Sequence, residues 1–369
     1  MAFNLAKGRV SPIGVDFGAD AIKLLQVVPT DPPQLVAAGV AEVPEHARRD
    51  PAARQQFYEE SLKHLLRTQP FKGRRAVCSI PAYQTLVHHF QVPRNEASDV
   101  TEHVGLQLRQ RLNVDASRMI LRVHRVGAVA RDPGKEEVIC LAAGRDAVMR
   151  HIENAHRAKL DVVGMQCEPM AVMHAFAHLF KGPEAEARTT CIVDIGAATT
   201  KALIANGGRL VFCKNIHAGG ESLNRALAQA LHLSPHEARQ LRRNAPGATA
   251  TPTAARDAGS VALAEAPERE AEACRETLEC ITDELQMCLR YYATMFPDRV
   301  VERLVFVGGE ARHRATCQAI ARALRLPAQL GDPLGRLART GRGDAVPDFA
   351  QPQPGWAVAL GLCLSETEA

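Results

Sequence analysis

No stretch of about 18 uncharged apolar residues occurs in this 369-residue chain, so no helix is expected to span a bilayer. The opening segment MAFNLAKGRVSP has no long apolar core, which argues against a secretory leader. The most apolar tail, GWAVALGLCLS at 355–365, is too short to cross a membrane and reads as a buried helix. No C-x-x-C occurs among the ten cysteines, and several sit inside apolar strands such as VCSI, VICLA and TCIVDIG. They read as small core residues in a reducing cytoplasm, not as disulfides or zinc ligands. His88 and His89 alternate across a strand and so cannot face one metal together. Net charge is low, +4 from 45 basic and 41 acidic residues, which is too balanced for a nucleic-acid partner.

The length allows two domains, and 46% hydrophobic with 23% charged residues is ordinary for a soluble globular protein. PIGVDFG, IKLLQVV and QLVAAGVAEV read as three short strands joined by turns. An amphipathic helix follows over 51–68, with Phe57, Leu62, Leu65 and Leu66 as its apolar set, and then a buried strand, RAVCSIP. A second unit alternates strand, helix, strand, strand, helix, strand from TLVHHFQVP to DVVGMQCE, with Asn95 as the expected cap of its first helix. A helix begins after Glu168-Pro169. The opening pattern then recurs as TTCIVDIG, KALIANGG and RLVFCKNI, followed by helices near 220–231 and 234–243. Residues 244–268, rich in Ala, Pro, Thr and Gly, read as a mobile loop. A long helix over about 268–295, the strand RLVFVGG, another helix and the closing helix GWAVALGLCL complete the chain.

The recurrence is specific. VDFGADAIK at 15–23 and VDIGAATTK at 193–201 share Val, Asp, Gly, Ala and Lys at five of nine positions, and each opens three strands followed by helices. Two such hairpins facing one another make a phosphate clamp. Glycine lets backbone N–H groups approach an anion, and a carboxylate at the strand end can hold Mg²⁺ through water. VFVGGEA at 305–311 adds a glycine pair where a nucleoside can pack against backbone.

In order, GVDFGADAIK, CEPMAVMHAF, IVDIGAATTK and VFVGGEA resemble the first phosphate loop, connecting helix, second phosphate loop and adenosine motif of the actin-like ATPase superfamily. Within it the chain resembles the PilM family of type IV pilus assembly proteins, to which the division protein FtsA is related. The small module between CSIP and CEP, the segment FCKNIHAGGESLNRALAQAL, the helix ETLECITDELQMCLRYYATMF and the closing GWAVALGLCL carry that resemblance over essentially the whole chain. It implies an α/β fold of actin-like (ribonuclease H-like) duplicated domains with an inserted small β-α-β-β-α-β subdomain. Residues 1–83 and 163–188 would form the first domain, 84–162 the insertion and 189–369 the second domain.

Position by position, the resemblance implies Asp16 and Asp194 as holders of Mg²⁺ through water, and Glu168 with Asp194 as the carboxylates of any hydrolysis. It implies Gly18, Ala19, Asp20, Lys23, Gly196, Thr199 and Thr200 about the phosphates of ATP. Gly219, Gly220, Arg239 and Arg242 would lie by the ribose, and Gly308, Gly309 and Glu310 by the adenine. Several of these depart from the family pattern. Ala19, Asp20 and Ala21 replace hydroxyl residues, Arg239 replaces an acid, Arg242 a lysine and Glu310 a glycine. Asp20 facing a phosphate about 4 Å away costs about 4 kcal/mol at an effective dielectric near 20, roughly a thousandfold in affinity. The expectation is therefore weak or lost ATP and Mg²⁺ binding, and at most slow ATPase activity. The resemblance further implies a cytoplasmic adaptor, recruited to the inner membrane by the N-terminal tail of a PilN-like partner docking between first subdomain and insertion. The competing readings are a small-molecule kinase and an FtsA-like filament. The short tail LSETEA offers no basic amphipathic anchor for the latter.

Overall fold

The computed structural model describes residues 10–94, 99–129, 131–244, 266–338 and 351–365. Three apolar strands open the described chain, β1 (Ile13–Phe17), β2 (Ala21–Val28) and β3 (Gln34–Glu42), paired antiparallel through tight turns. Every residue of β1 is buried, as a strand covered on both faces requires. A short helix, α1 (Glu45–Arg49), which the sequence pattern does not announce, precedes α2 (Pro51–Thr68). The Asp50 carboxylate accepts from the Ala52 and Ala53 amides, and Pro51 takes the first helical position. The buried stripe of α2 is Tyr58, Ser61, Leu62 and Leu65, whereas Phe57 and Leu66 pack at its margin. The stripe is thus turned by one residue from the expected set, because Tyr58 reaches inward to donate its hydroxyl to the Gly18 carbonyl at 3.0 Å.

β4 (Arg75–Ile80) lies parallel to β1. The chain then leaves this sheet. β5 (Thr85–Pro93), α3 (Val100–Leu112), β6 (Met119–Val129) and β7 (Asp132–Gly144) build a three-stranded antiparallel sheet of order β5-β7-β6, covered by α3. The cap of α3 is Asp99, which accepts from the Thr101 and Glu102 amides; Asn95 lies outside the described residues. α4 (Arg145–Arg157) and β8 (Asp161–Cys167) return to the first sheet. β8 pairs parallel with β4, and α4 is tied to α2 by an Arg157–Glu59 ion pair at 3.2 Å. The last helix and strand of the expected six-element module therefore complete a β4-to-β8 crossover, since a half-buried apolar strand is satisfied by the open edge of β4.

α5 (Glu168–Ala175) and α6 (Pro183–Ala187) lead into the second half. Its strands are β9 (Thr189–Ile195), β10 (Thr200–Asn206), β11 (Arg209–Ile216), β12 (Arg303–Val307) and β13 (Ala328–Leu330). Its helices are α7 (Gly220–Leu231), α8 (Pro235–Asn244), α9 (Ala266–Met295), α10 (Arg314–Leu324) and α11 (Ala357–Leu364). Most of the expected loop at 244–268 lies outside the described residues. The first sheet runs β3-β2-β1-β4-β8 and the second β11-β10-β9-β12-β13, the same order strand for strand. The register repeats as well: Asp16 stands opposite Lys23, and Asp194 opposite Lys201. α5 and α11 pack together at the centre of the largest hydrophobic core. All ten cysteines are free and eight are buried, with Cys274 half-buried and Cys280 exposed.

Candidate nucleotide site between the two hairpins

The β1–β2 and β9–β10 turns face each other across a cavity of about 590 Å³, a size that suits a small-molecule ligand. Asp16, Gly18, Ala19, Asp20 and Lys23 line it from the first half. Glu168, Asp194, Gly196, Thr199, Gly308, Gly309 and Glu310 line it from the connecting helix and the second half. Five expected residues do not reach it. The Thr200 hydroxyl donates to the Ala218 carbonyl at 2.8 Å, so it serves the fold. Gly219 and Gly220 lie behind the second loop: a Cβ on Gly219 would come within 2.4 Å of the Gly196 carbonyl oxygen, and one on Gly220 would meet the Glu310 side chain. Arg239 and Arg242 spend their guanidinium groups on protein acids. Arg239 pairs with Glu45 at 2.5 Å. Arg242 is buried, pairs with Glu310 at 2.5 Å and donates to the Gly220 carbonyl and the Asn224 side chain. Glu310 is thus turned toward Arg242 as well as toward the base side of the cavity.

Gly308 does require glycine. Its φ is +90°, and a Cβ there would lie 2.3 Å from the Ile195 carbonyl oxygen. The adenosine motif is thereby pressed onto the end of β9. Trp356, the chain's one tryptophan, is buried at the start of α11 and also lines the cavity. Sequence reasoning passed over it as part of an apolar tail.

Asp20 is not the isolated negative charge that the sequence suggested. It forms a direct ion pair with Arg48 of α1, and Arg239 and Arg243 each bring a nitrogen to 3.9 Å. Burial alone would raise its carboxyl pKa, but the Arg48 guanidinium, with Arg243 and Arg239 behind it, outweighs that and holds it low. The same arginines tie the halves together, Arg239 to Glu45, Arg243 to Glu42 at 2.7 Å and Arg48 to Glu221 at 3.8 Å. The expected repulsion of phosphate by Asp20 is therefore largely cancelled. The helix α1 that supplies Arg48 was invisible to periodicity because it has only five residues.

The most consequential side chain absent from the expected set is Lys201. Its ammonium is in a direct ion pair with Glu168 and lies 2.9 Å from Asp194 Oδ2, with all three groups buried. The other Glu168 oxygen accepts from the Ala82 amide at 3.0 Å. Burial would depress the Lys201 pKa, but Asp194 and Glu168 outweigh it and raise it, so the group stays charged. The matching Lys23 lies 3.7 Å from Asp16 Oδ2. The signal was present, since both hairpins carry Lys seven residues after Asp, but only the first lysine was carried into the site.

A Mg²⁺ held by Asp16 and Asp194 through water needs carboxylate oxygens free to face the ion. Here Asp194 and Glu168 share Lys201, while Asp16 faces Lys23 and accepts from the Ser79 hydroxyl at 3.4 Å. The donor set does not fit such an ion, because an ammonium already stands among the acids.

Burial, reinforced by Glu168 and Asp194 and opposed by Lys23 and Lys201, pushes Asp16 up to about 6 from an ordinary 3.8. The folded state thus holds this proton more tightly than the unfolded chain. The stability that follows is full below about pH 4 and is lost as pH rises through 6. Asp16→Asn is expected to be more stable than the parent by about 3 kcal/mol at pH 8 and nearly equal to it at pH 4. Urea unfolding at the two pH values checks this; an equal difference at both would refute it.

Two half-molecules of one strand order, closing on a shared cleft with a glycine turn from each, define the actin-like ATPase fold. The model of the family described as type IV pilus assembly protein PilM matches residues 14–248, and that of cell division protein FtsA matches residues 191–361. The first match covers more than half of the chain, which therefore belongs to the PilM family of type IV pilus assembly proteins. Among solved structures, the PilM-PilN type IV pilus biogenesis complex is similar with a TM-score of 0.78 at 21% identity, covering 96% of this chain and 98% of that one. The ethanolamine utilization protein EutJ from Carboxydothermus hydrogenoformans is similar with a TM-score of 0.54 at 16% identity, covering 98% and 91%. Among the described residues no helix is long and apolar enough to cross a membrane.

Proposed function

We propose that this chain is an actin-like adaptor of type IV pilus assembly that binds the N-terminal cytoplasmic tail of a PilN-like inner-membrane partner and is recruited to the membrane by it. The observation that carries the reading is the extent of the family match, unbroken from residue 14 to 248. It takes in both phosphate hairpins and the whole inserted sheet, not only the part shared across the superfamily. The docking place is the groove between the first sheet and the insertion. β8 ends the first sheet and so leaves a strand edge to which an extended peptide can add main-chain hydrogen bonds. The cleft between the hairpins binds ATP. Lys23 and Lys201 face the phosphate side, and Gly308 with Trp356 shapes the nucleoside side.

The kinase reading fares worse, because the carboxylates it would use, Glu168 and Asp194, are held by Lys201. Filament formation remains a second reading on the strength of the FtsA match over residues 191–361, and pelleting with ATP would favour it. Calorimetric titration with a synthetic tail from an inner-membrane protein encoded beside this gene tests the adaptor. The expected result is a dissociation constant of about 1–10 μM without sugar-dependent ADP release. Rapid substrate-dependent ATP turnover with no tail binding would defeat the reading.

A further inference from the structure

We propose that Lys201 is a built-in cation that takes the place of the divalent ion in the cleft, so that this chain binds nucleotide without Mg²⁺ and holds it unhydrolysed. The inference rests on the reading of the cleft as a nucleotide pocket and goes beyond it in naming the cation.

Three observations carry it. Glu168, Asp194 and Lys201 form a buried cluster in which one ammonium serves two carboxylates from different elements, α5 and β9. This ammonium is at the cavity wall: a Cβ placed on Gly196 would lie 3.9 Å from Nζ, beside the glycine turn that faces the phosphates. The equivalent Lys23 of the first hairpin sits in the same register opposite Asp16, so three carboxylates face two ammonium groups. A divalent ion entering would gain little from acids already neutralised and would meet like charge from Lys201. Phosphate oxygens, in contrast, find Lys23 at the cavity wall, 3.7 Å from its one acid, with Lys201 offsetting the charge of the other two. Glu168, with one oxygen on Lys201 and the other on the Ala82 amide, has both oxygens stabilised by donors and is thereby weakened as a base toward water. A merely structural role is the competing account, and it predicts no link between Lys201 and metal.

The test compares the parent with Lys201→Met, both free of nucleotide, by Mn²⁺ titration followed by electron paramagnetic resonance and by thermal melting against Mn²⁺. The parent is expected to bind Mn²⁺ no tighter than millimolar and to melt at an unchanged temperature. The variant should bind at least tenfold tighter and be stabilised by the ion, as a ligand seen only by the folded state requires. Equal Mn²⁺ affinity in the two proteins overturns the proposal, and so does a folded variant that binds none. Should the variant fail to fold, the parent decides. Its affinity for a fluorescent ATP analogue should change less than twofold between Mg²⁺ and EDTA, and a tenfold loss in EDTA overturns the proposal. If the parent binds no analogue in either buffer, the nucleotide reading falls, and the Mn²⁺ comparison still judges Lys201.

Discussion

Lys201→Met is expected to lower the unfolding free energy by about 3–5 kcal/mol, the usual cost of removing one partner from a buried ion pair. The loss comes from what is left behind. Glu168 and Asp194 are both buried, and without the ammonium each is an uncompensated charge in a poorly solvated cleft. Adding Glu168→Gln and Asp194→Asn to the same variant should recover most of the loss, because neutral amides carry no such penalty. Urea unfolding of the single and triple variants measures both effects. A loss below about 1 kcal/mol in the single variant would mean that the cluster is solvated and that its role in the cleft has been misjudged.

The second large effect is expected at Gly361→Ala. Gly361 lies inside α11, where helix propensity alone favours alanine by about 1 kcal/mol. A Cβ there would sit 1.7 Å from the Ala171 carbonyl oxygen and 2.4 Å from its carbon, and these are backbone atoms of α5 that no rotamer change can move. The two helices must separate, and the variant should lose about 3 kcal/mol or more, the upper range for overpacking. Gly309→Ala is the control. A Cβ there meets nothing within 4 Å, so its stability should stay within about 0.5 kcal/mol of the parent. Thermal or urea unfolding of the two variants separates them; equal losses would show that α5 and α11 are not packed as described. Because Glu168 begins α5, the Gly361 variant should also loosen the cluster around Lys201.

Much of the fold is legible from local pattern. The strands of both hairpins and the helix at 51–68 follow from short-range periodicity and turn chemistry. The pattern misplaced what depends on a distant partner. Tyr58 looks like the wrong side of α2 until its hydroxyl finds the Gly18 carbonyl. Thr200 looks like a phosphate ligand until its hydroxyl is seen on Ala218. Asp20 looks repulsive until Arg48, Arg239 and Arg243 surround it.

The amino-acid sequence by itself settled the doubling. A seven-residue interval from Asp to Lys across a tight antiparallel turn brings the two side chains opposite each other in both halves, whatever the rest of the chain does. Only the tertiary structure decided which of these pairs gains a third member. Glu168 meets Lys201 from 33 residues away, and Arg239 meets Glu45 from 194 away. Such encounters depend on how whole elements pack, and no spacing along the chain records that.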